Sequence, residues 1–163
     1  AEMGNHEKAL RHYERAIELN PKHILALHNL GMLYYAGLHK KEEAEYYLDK
    51  VAAIDSTLPI CFYVLGEIAL DKNEHDLARK LFEKELQNTA DIAAVQRRLP
   101  IRHASIVFAR TMAHLQLSLI YSRDFPNKKS AQKHFNTYLK LETNEKRKTM
   151  AMKTMKKYWK FEK

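Results

Sequence analysis

An all-α fold of stacked helix pairs is the fold class that this sequence predicts, and three observations indicate it. Ala9, Ala44 and Ala78 each stand four residues before a large apolar residue, and their separations are 35 and 34 residues. A period of about 34 in helical sequence is typical of helix-turn-helix units, which bury their apolar faces by stacking on one another. The chain also contains only four Gly and four Pro, which favours long helices and short turns over many short strands.

Length and composition indicate one globular domain. The chain has 163 residues, of which 45% are hydrophobic and 29% charged. No apolar run approaches the roughly 18 to 20 residues that a membrane-spanning helix needs. Cys61 is the single cysteine, which excludes an intramolecular disulfide and predicts a small core residue. A reducing compartment such as the cytoplasm is therefore favoured, although one cysteine leaves the localisation unknown.

The net charge of +8 is concentrated near the C-terminus. Residues 143–163 contain eight Lys and Arg against Glu145 and Glu162, so they contribute +6 of that charge, and residues 1–142 are almost neutral. A basic segment of this kind can bind an acidic protein, an anionic membrane or nucleic acid. More often it is simply the solvated face of a last helix.

The elements follow from apolar spacing and from the turn residues between the apolar stretches. Residues 1–5 predict the end of one helix and a turn, with Gly4 in the left-handed conformation and Asn5 as an N-cap. Leu99-Pro100 predicts a break, because the residue before Pro disfavours helix, and the next helix is expected to run to Arg123. The predicted helices cover about 6–19, 24–35, 40–54, 60–70, 74–87, a short stretch ending at 98, about 100–123, 128–141 and 143–161.

Two stretches repeat the same pattern of residues. A bulky residue is followed by Leu-Gly, then by a small or aromatic residue, and in the next helix by Ala and a large apolar residue. The first is Leu27, Leu30-Gly31, Tyr34, Ala44, Leu48 and Val51, and the second is Phe62, Leu65-Gly66, Ala69, Ala78 and Phe82. On these residues the chain resembles the tetratricopeptide repeat (TPR) family. The back half of another unit is seen in Gly4-Asn5, Ala9, Tyr13, Ala16 and Pro21, and a divergent unit in Leu117-Ser118, Tyr121, Ala131, Phe135 and Tyr138. The resemblance implies a right-handed superhelix of antiparallel helix pairs, to which the sequence adds a basic amphipathic C-terminal helix.

We expect a TPR domain over residues 1–142 and a capping basic helix over 143–163. The TPR domain comprises a half unit 1–22, units 24–56 and 59–87, an insertion at about 88–106 and a divergent unit at about 107–142. The insertion follows from the 53 residues between Ala78 and Ala131, which is about one repeat plus 19. Because the half unit alone would expose Leu10, Tyr13 and Ile17, we expect the protein to be part of a longer chain or a complex.

Three features predict local changes in packing. Gly31 and Gly66 lie inside helices, where Gly costs roughly 1 kcal/mol relative to Ala, so a close approach of the paired helix is expected to compensate. One residue is inserted between the two helices of unit 24–56. Glu85 and Tyr138 stand where the family has a small residue, so the packing around them is expected to be altered.

The first candidate site is the concave groove, because ligands of the resembled family meet the inner face of the first helix of each unit. The matching positions here are largely apolar, with aromatic and Met side chains that suit protein contacts. Some of them are alternatively expected to pack under the insertion or against the C-terminal helix. The carboxylate clamp of some family members is absent, since His28, Met32 and Val64 stand where Lys, Asn or Arg would be needed. The groove positions are Leu25, His28, Met32, Tyr35, Ile60, Tyr63, Glu67, Leu70, Met112, Leu115, Leu119 and Ser122.

Two basic regions are further candidates. Arg97, Arg98, Arg102 and Arg110 form a candidate patch for an acidic partner, although they are alternatively expected to pair with neighbouring carboxylates. In the C-terminal helix, Met152, Met155 and Trp159 share one face and are predicted to cap the last repeat. The same helix, through Lys153, Lys156, Lys157 and Lys160, is alternatively an anionic-membrane binder or a docking helix for a partner.

No pattern in the sequence indicates catalysis or a bound group. The nine His include no pair at i, i+4 that would place two imidazoles on one helix face, and there is no phosphate loop, nucleophile elbow or paired Cys motif. We therefore expect no enzyme activity, no cofactor and no metal, and nucleic acid is disfavoured because the body lacks a broad basic face. The predicted function is a non-enzymatic scaffold that binds a protein or peptide segment in the groove. The alternative is a peripheral membrane component held by the basic helix.

Overall fold

The computed structural model of the chain describes residues 2–88, 92–98 and 101–159, and within these ranges all regular structure is helical. Residues 89–91, which precede the predicted short helix, and the predicted break at 99–100 lie outside the described residues. The helices are α1 (Glu2–Leu19), α2 (Ile24–Met32), α3 (Lys41–Ile54), α4 (Cys61–Asp71), α5 (His75–Gln87), α6 (Ile92–Arg98), α7 (His103–Arg123), α8 (Lys128–Leu141) and α9 (Glu145–Trp159). None of the described helices is both long and apolar enough to cross a bilayer.

The helices form the predicted all-α solenoid. α2 pairs with α3, α4 with α5 and α7 with α8, while α1 packs on α2 as the second half of a preceding unit. Leu10, Tyr13 and Ile17 of α1 are half-buried rather than exposed, because α2 and the turn after it cover one side of the helix. The turn predicted at Gly4-Asn5 is wrong, since α1 runs through both residues. The backbone hydrogen bonds of a continuous helix outweigh the roughly 1 kcal/mol cost of one Gly.

Two glycines set the spacing within the pairs, as predicted. A Cβ built on Gly31 would lie 2.8 Å from Leu48 Cγ, and one built on Gly66 would lie 2.7 Å from Phe82 Cε1. Leu48 and Phe82 are fully buried, so neither side chain has room to move. The absence of a side chain at these two positions therefore lets the helices of each pair approach closely.

The inserted residue of unit 24–56 is absorbed in a single wide turn. Leu33–Gly37 form a π-helical turn directly after α2, in which the amide of Leu38 donates to the carbonyl oxygen of Leu33 at 3.0 Å. A π-helical turn accommodates one residue more than an α-helical turn does. The register of α3 against α2 is thereby preserved, and Ala44 and Leu48 remain fully buried in the core.

The predicted insertion contributes to the core rather than forming an external loop. Val95 of α6, Ile101 and Ile106 are buried in the same cluster as Leu58 and Cys61, at the start of α4. Burial raises the pKa of the Cys61 thiol, as expected for the predicted core cysteine. α7 has 21 residues, so its first turns extend beyond the length of the other first helices in the solenoid.

Glu85 is a buried carboxylate that binds the backbone at the N-terminal end of α4. Both of its oxygens accept a hydrogen bond from the Ile60 amide at 3.0 Å, at the N-cap position of the helix. Ile60 adopts a positive φ of 78°, which is strained for a β-branched residue. Burial raises the pKa of Glu85, while this amide and the Arg110 guanidinium act in the opposite direction. Where the family has a small residue, this chain has a polar capping group with a cationic neighbour.

Helix α9 lies parallel to α7 and occupies the place of a first helix of a further unit. Ser118 Oγ lies 3.5 Å from Met155 Sδ, and the Trp159 indole N–H donates to Ser122 Oγ at 3.2 Å. The two pairs occur in the same order along both helices, which fixes the parallel direction. Ala151 and Met155 are buried, whereas Met152 is 40% exposed. The prediction that Met152 lies on the buried face of α9 is therefore wrong. Ala151, one residue earlier, faces the core instead.

Trp159 is expected to be structural, and its truncation to Ala should destabilise the fold by about 2 kcal/mol. Its ring contacts Phe135 edge-on at 5.3 Å between centroids, and it is half-buried. Since it is the only Trp, its fluorescence should be blue-shifted and protected from soluble quenchers in the protein alone. Met150→Ala on the exposed side of α9 is the control and should be nearly neutral. Red-shifted, freely quenched emission would contradict the observed packing.

Candidate functional site

A largely apolar cavity of about 350 Å³ lies where α4, the π turn and the start of α7 meet. Four of the predicted groove residues line it, and α7 supplies the opposite wall, which sequence reasoning did not assign. The cavity is formed because the extra turns of α7 extend past the repeat and face α4. Its lining is Met32, Tyr35, Ala36, Ile60, Tyr63, Val64, Arg102, Ala104, Ser105, Phe108 and Ala109.

A second cavity of about 420 Å³ adjoins the first and shares Ala104 and Phe108 with it. It is formed by the start of α7, the end of α8 and the start of α9. Its other lining residues are His103, Val107, Thr111, Leu141, Glu142, Thr143 and Arg147. We refer to the two cavities together as the two-cavity surface.

Large apolar side chains are unusually exposed on the two-cavity surface. Phe108 is 45% exposed, Leu141 44% and Val107 39%. An exposed apolar patch of this kind, rimmed by polar groups, marks an interaction site in soluble proteins. The sequence contained a signal for Phe108, because it lies four residues before Met112 on the same helical face.

The charges of the two-cavity surface are mostly positive. Arg102 is exposed at the N-cap position of α7 and makes no side-chain cap bond, and His103 beside it is exposed. Arg147 donates from Nε and Nη2 to the two oxygens of the buried Glu142, at 2.7 and 2.8 Å. This guanidinium lowers the pKa of Glu142 and neutralises its charge. Among the described lining residues, Glu142 is the one carboxylate.

A second carboxylate lies beyond the opposite side of the first cavity. Glu67 accepts a hydrogen bond from Gln116 Nε2 at 2.9 Å, and burial raises its pKa. Burial and the nearby Glu67 raise the pKa of Tyr35 to about 12, so this phenol is neutral at physiological pH. Glu67 thus meets α7 at Gln116, about four helical turns from Arg102, so the two charges are well separated along this helix.

The structure brings together only part of the predicted groove set. Met32, Tyr35, Ile60 and Tyr63 line the first cavity. His28 is buried at 5% exposure, where burial lowers its pKa, so its assignment as an accessible groove residue is wrong. Leu25 packs on the core, and Leu70 and Leu119 border a separate shallow depression near Gln116.

The predicted groove positions of the divergent unit mostly pack against α8 and α9. Met112, Leu115 and Leu119 pack against the cluster of Phe135, Tyr138, Ala151 and Met155 contributed by α8 and α9. They are half-buried there, and Ser122 accepts the indole hydrogen bond of Trp159. The alternative packing against the C-terminal helix thus holds for these residues.

The predicted arginine patch does not form one surface. Arg110 is half-buried, and its Nη2 donates to the carbonyl oxygen of Asn88 at 2.7 Å while its charge acts on Glu85. Arg97 and Arg102 are exposed, and the side chain of Arg98 lies outside the described residues. Arg102 is the member of the set that reaches the two-cavity surface.

The basic helix presents its lysines outward. Lys153, Lys156 and Lys157 are exposed, and Lys160 lies outside the described residues. Met150 is 69% exposed and shares the outer face of α9 with Lys146, Lys153 and Lys157, one helical turn or two away. This face is directed away from the stripe that contacts α7.

A pair of histidines joins α7 to α8. The Nδ1 atoms of His114 and His134 lie 2.9 Å apart, so one neutral ring donates to the other, and the Tyr121 ring stacks on His134. Burial, His134 and Lys133 lower the pKa of His114 to about 4, and burial chiefly lowers that of His134. Among the described residues, no group of three or more His, Cys, Asp or Glu is arranged to hold a metal ion.

Acidification is expected to destabilise the fold through this pair. Because both pKa values are lowered in the folded state, the unfolded chain takes up protons first as the pH falls below about 6.5. The free energy of unfolding should therefore decrease by about 1 to 2 kcal/mol between pH 7 and pH 4, after allowance for partial exposure. Urea titrations of the wild type and of His114→Gln test this, with exposed His39→Gln as control. Equal pH dependence in wild type and His114→Gln would contradict the assignment.

The described helices stack in antiparallel pairs, which is the architecture of a helical-repeat protein. Two comparisons with known proteins indicate the tetratricopeptide repeat family over part of the chain. Residues 1–37 match the family model described as TPR repeat. The photosystem I assembly protein Ycf3 of Acaryochloris marina (strain MBIC 11017) is 48% identical over 46 residues, which is 28% of this chain and 28% of that protein. These matches support a tetratricopeptide repeat protein, as the sequence predicted, and they lie on a minor part of the chain.

Solved structures show the same fold. Two crystal structures of MamA align with TM-scores of 0.50, at 19% and 20% sequence identity. The alignments cover 85% and 86% of this chain and 90% and 84% of the MamA chains. The similarity extends over most of the solenoid, beyond the part that the family model matches.

Proposed function

We propose that this protein is a non-enzymatic scaffold that binds a segment of a partner protein on the two-cavity surface. The observation that carries the proposal is the pair of adjoining cavities with Phe108 exposed between them. TPR proteins bind proteins or peptides, and an exposed aromatic wall beside two apolar cavities suits inserted side chains.

Two further observations support the proposal. The residues at the centre of the surface, Tyr63 and Phe108, come from different helices that the core holds in place, so the surface is preformed. The relative with the matching 46-residue segment is named as an assembly protein, which is a role performed by binding other proteins. The matched segment is 28% of that relative, so the partners of the relative are not assigned to this chain.

A peptide selection tests the proposal. A random 16-residue phage library is selected against the immobilised protein, and enriched peptides are measured by fluorescence anisotropy against variants. Truncating an aromatic hot-spot residue costs about 2 kcal/mol, so Tyr63→Ala and Phe108→Ala should each weaken binding by about tenfold or more. Phe125→Ala is the matched control, because Phe125 is also exposed beside an Arg but lines neither cavity. Enriched peptides that bind all variants equally would place the binding site elsewhere.

A second candidate function is favoured by the outer face of α9. Met150 among three lysines forms a short basic face with an exposed apolar side chain, a combination that suits an anionic membrane surface. Sedimentation with phosphatidylserine-containing vesicles tests this function. The test variant is Lys153→Glu/Lys157→Glu, and the control with the same change in net charge is Lys22→Glu/Lys80→Glu. Charge reversal is preferred to deletion of α9, because deletion would expose Phe135 and Tyr138. Membrane binding should decrease with salt and be lost in the α9 variant alone.

A further inference from the structure

We infer that the partner segment carries a large apolar side chain close to a carboxylate, with the carboxylate placed at Arg102. The inference rests on the proposed function and specifies the chemistry of the partner on the same surface. The site of the carboxylate lies at the start of α7, outside the inner-helix positions that form the carboxylate clamp of some TPR proteins.

The shape of the surface accounts for the apolar part. Phe108 and Ala104 belong to both cavities, so a segment that crosses the surface meets Phe108 on its way from one cavity to the other. The first cavity is bounded by Tyr63 and Met32, which offer an aromatic face and a flexible thioether to an inserted side chain. One apolar residue of the partner in this cavity would cover much of the exposed Phe108 ring.

The charges account for the acidic part. No carboxylate occurs among the described residues that line the first cavity, and Glu142 of the second is already neutralised by Arg147. Arg102 is exposed on the rim, and its side chain makes no ion pair or hydrogen bond with the residues that the structure describes. A guanidinium is suited to bidentate contact with a carboxylate, and the N-terminal end of α7 adds a favourable field for an anion.

The position of the acidic residue within the bound segment follows from Glu67. This carboxylate lies next to Tyr63 and Tyr35 and meets α7 at Gln116, about four helical turns from Arg102. An acidic residue of the partner would be repelled there and attracted at Arg102. The partner is thus expected to place its acidic residue on the α7 side and neutral or basic residues towards Glu67.

Charge reversal tests the inference. Peptides enriched in the selection should share an acidic residue close to an apolar one, and replacing that Glu by Lys should weaken binding by about tenfold or more. Arg102→Glu should weaken the acidic peptide to a similar extent and restore binding of the Lys peptide. The substitution removes no capping bond of α7, so circular dichroism and the urea midpoint should be unchanged. Arg11→Glu, an exposed reversal on α1, is the control with equal change in net charge.

The outcomes separate the inference from the proposed function. The inference is supported if Arg102→Glu weakens binding of the acidic peptide and restores binding of the Lys peptide. Enriched peptides without carboxylates, or undiminished binding to Arg102→Glu, overturn it, while sensitivity to Tyr63→Ala and Phe108→Ala leaves the proposed function standing. If the enriched peptides bind all three variants as tightly as the wild type, both the inference and the proposed function are overturned. A selection that enriches no peptide has the same consequence.

Discussion

Gly66→Leu is expected to destabilise the protein by about 3 kcal/mol or more, because the space for its side chain is already occupied. Even a Cβ at this position would lie 2.7 Å from Cε1 of Phe82, whose ring is fully buried and cannot move aside. The leucine would push α5 away from α4. The gain in helix propensity over Gly, about 1 kcal/mol, is smaller than this cost.

Urea unfolding followed by circular dichroism measures the effect. Gly31→Leu should behave similarly, since its Cβ would meet Leu48 Cγ at 2.8 Å. Ala53→Leu, at an exposed position of α3, is the control and should change the free energy of unfolding by less than about 0.5 kcal/mol. Unchanged midpoints for both glycine variants would contradict the close approach of the helix pairs.

Glu85→Ala is expected to cost about 3 kcal/mol, because it leaves two groups without their buried partner. The Ile60 amide would lose its acceptor at a position of positive φ, and the half-buried Arg110 guanidinium would lose a carboxylate with which its charge interacts. Glu85→Gln should cost less, since an amide oxygen can still accept from Ile60 but carries no charge for Arg110.

A surface carboxylate provides the comparison for this variant. Glu18 pairs with Arg15 at 2.7 Å, and both side chains are more than 60% exposed. Glu18→Ala should therefore change stability by about 0.5 kcal/mol or less. If Glu85→Ala were as mild as Glu18→Ala in urea unfolding, the capping role of Glu85 would be refuted.

The sequence was sufficient for the repeat architecture because its signals are local or periodic. The Ala and Leu-Gly anchors locate the helix pairs to within a few residues, and the spacing between Ala78 and Ala131 reveals the insertion. Gly4 shows the limit of a local signal, since it predicts a turn where the structure has continuous helix. A single residue of low helix propensity does not overcome the helix on both sides of it.

The candidate site was only partly predictable, because it depends on contacts between elements that are distant in sequence. Tyr63 and Met32 were found from the register of the repeats. Phe108 was missed, because the register is lost in the insertion and the extra turns of α7 become visible only when α4 faces them. Met112 and Leu115 were assigned to the groove, yet α9 lies along α7 and takes that side. Glu85 was recognised as a departure, but its bond to Ile60 spans 25 residues and has no sequence signature.

The π turn after α2 has a consequence for how such a chain can change over evolution. An extra residue in an ordinary helix rotates all later side chains by about 100° and would misalign the stack. Here the extra residue is contained in Leu33–Gly37, and two residues of that turn, Tyr35 and Ala36, form part of the cavity wall. A change in length within this turn can thus alter the wall of the first cavity without disturbing the neighbouring units. Insertions and deletions confined to this turn offer a route to new partner specificity that leaves the core sequence untouched.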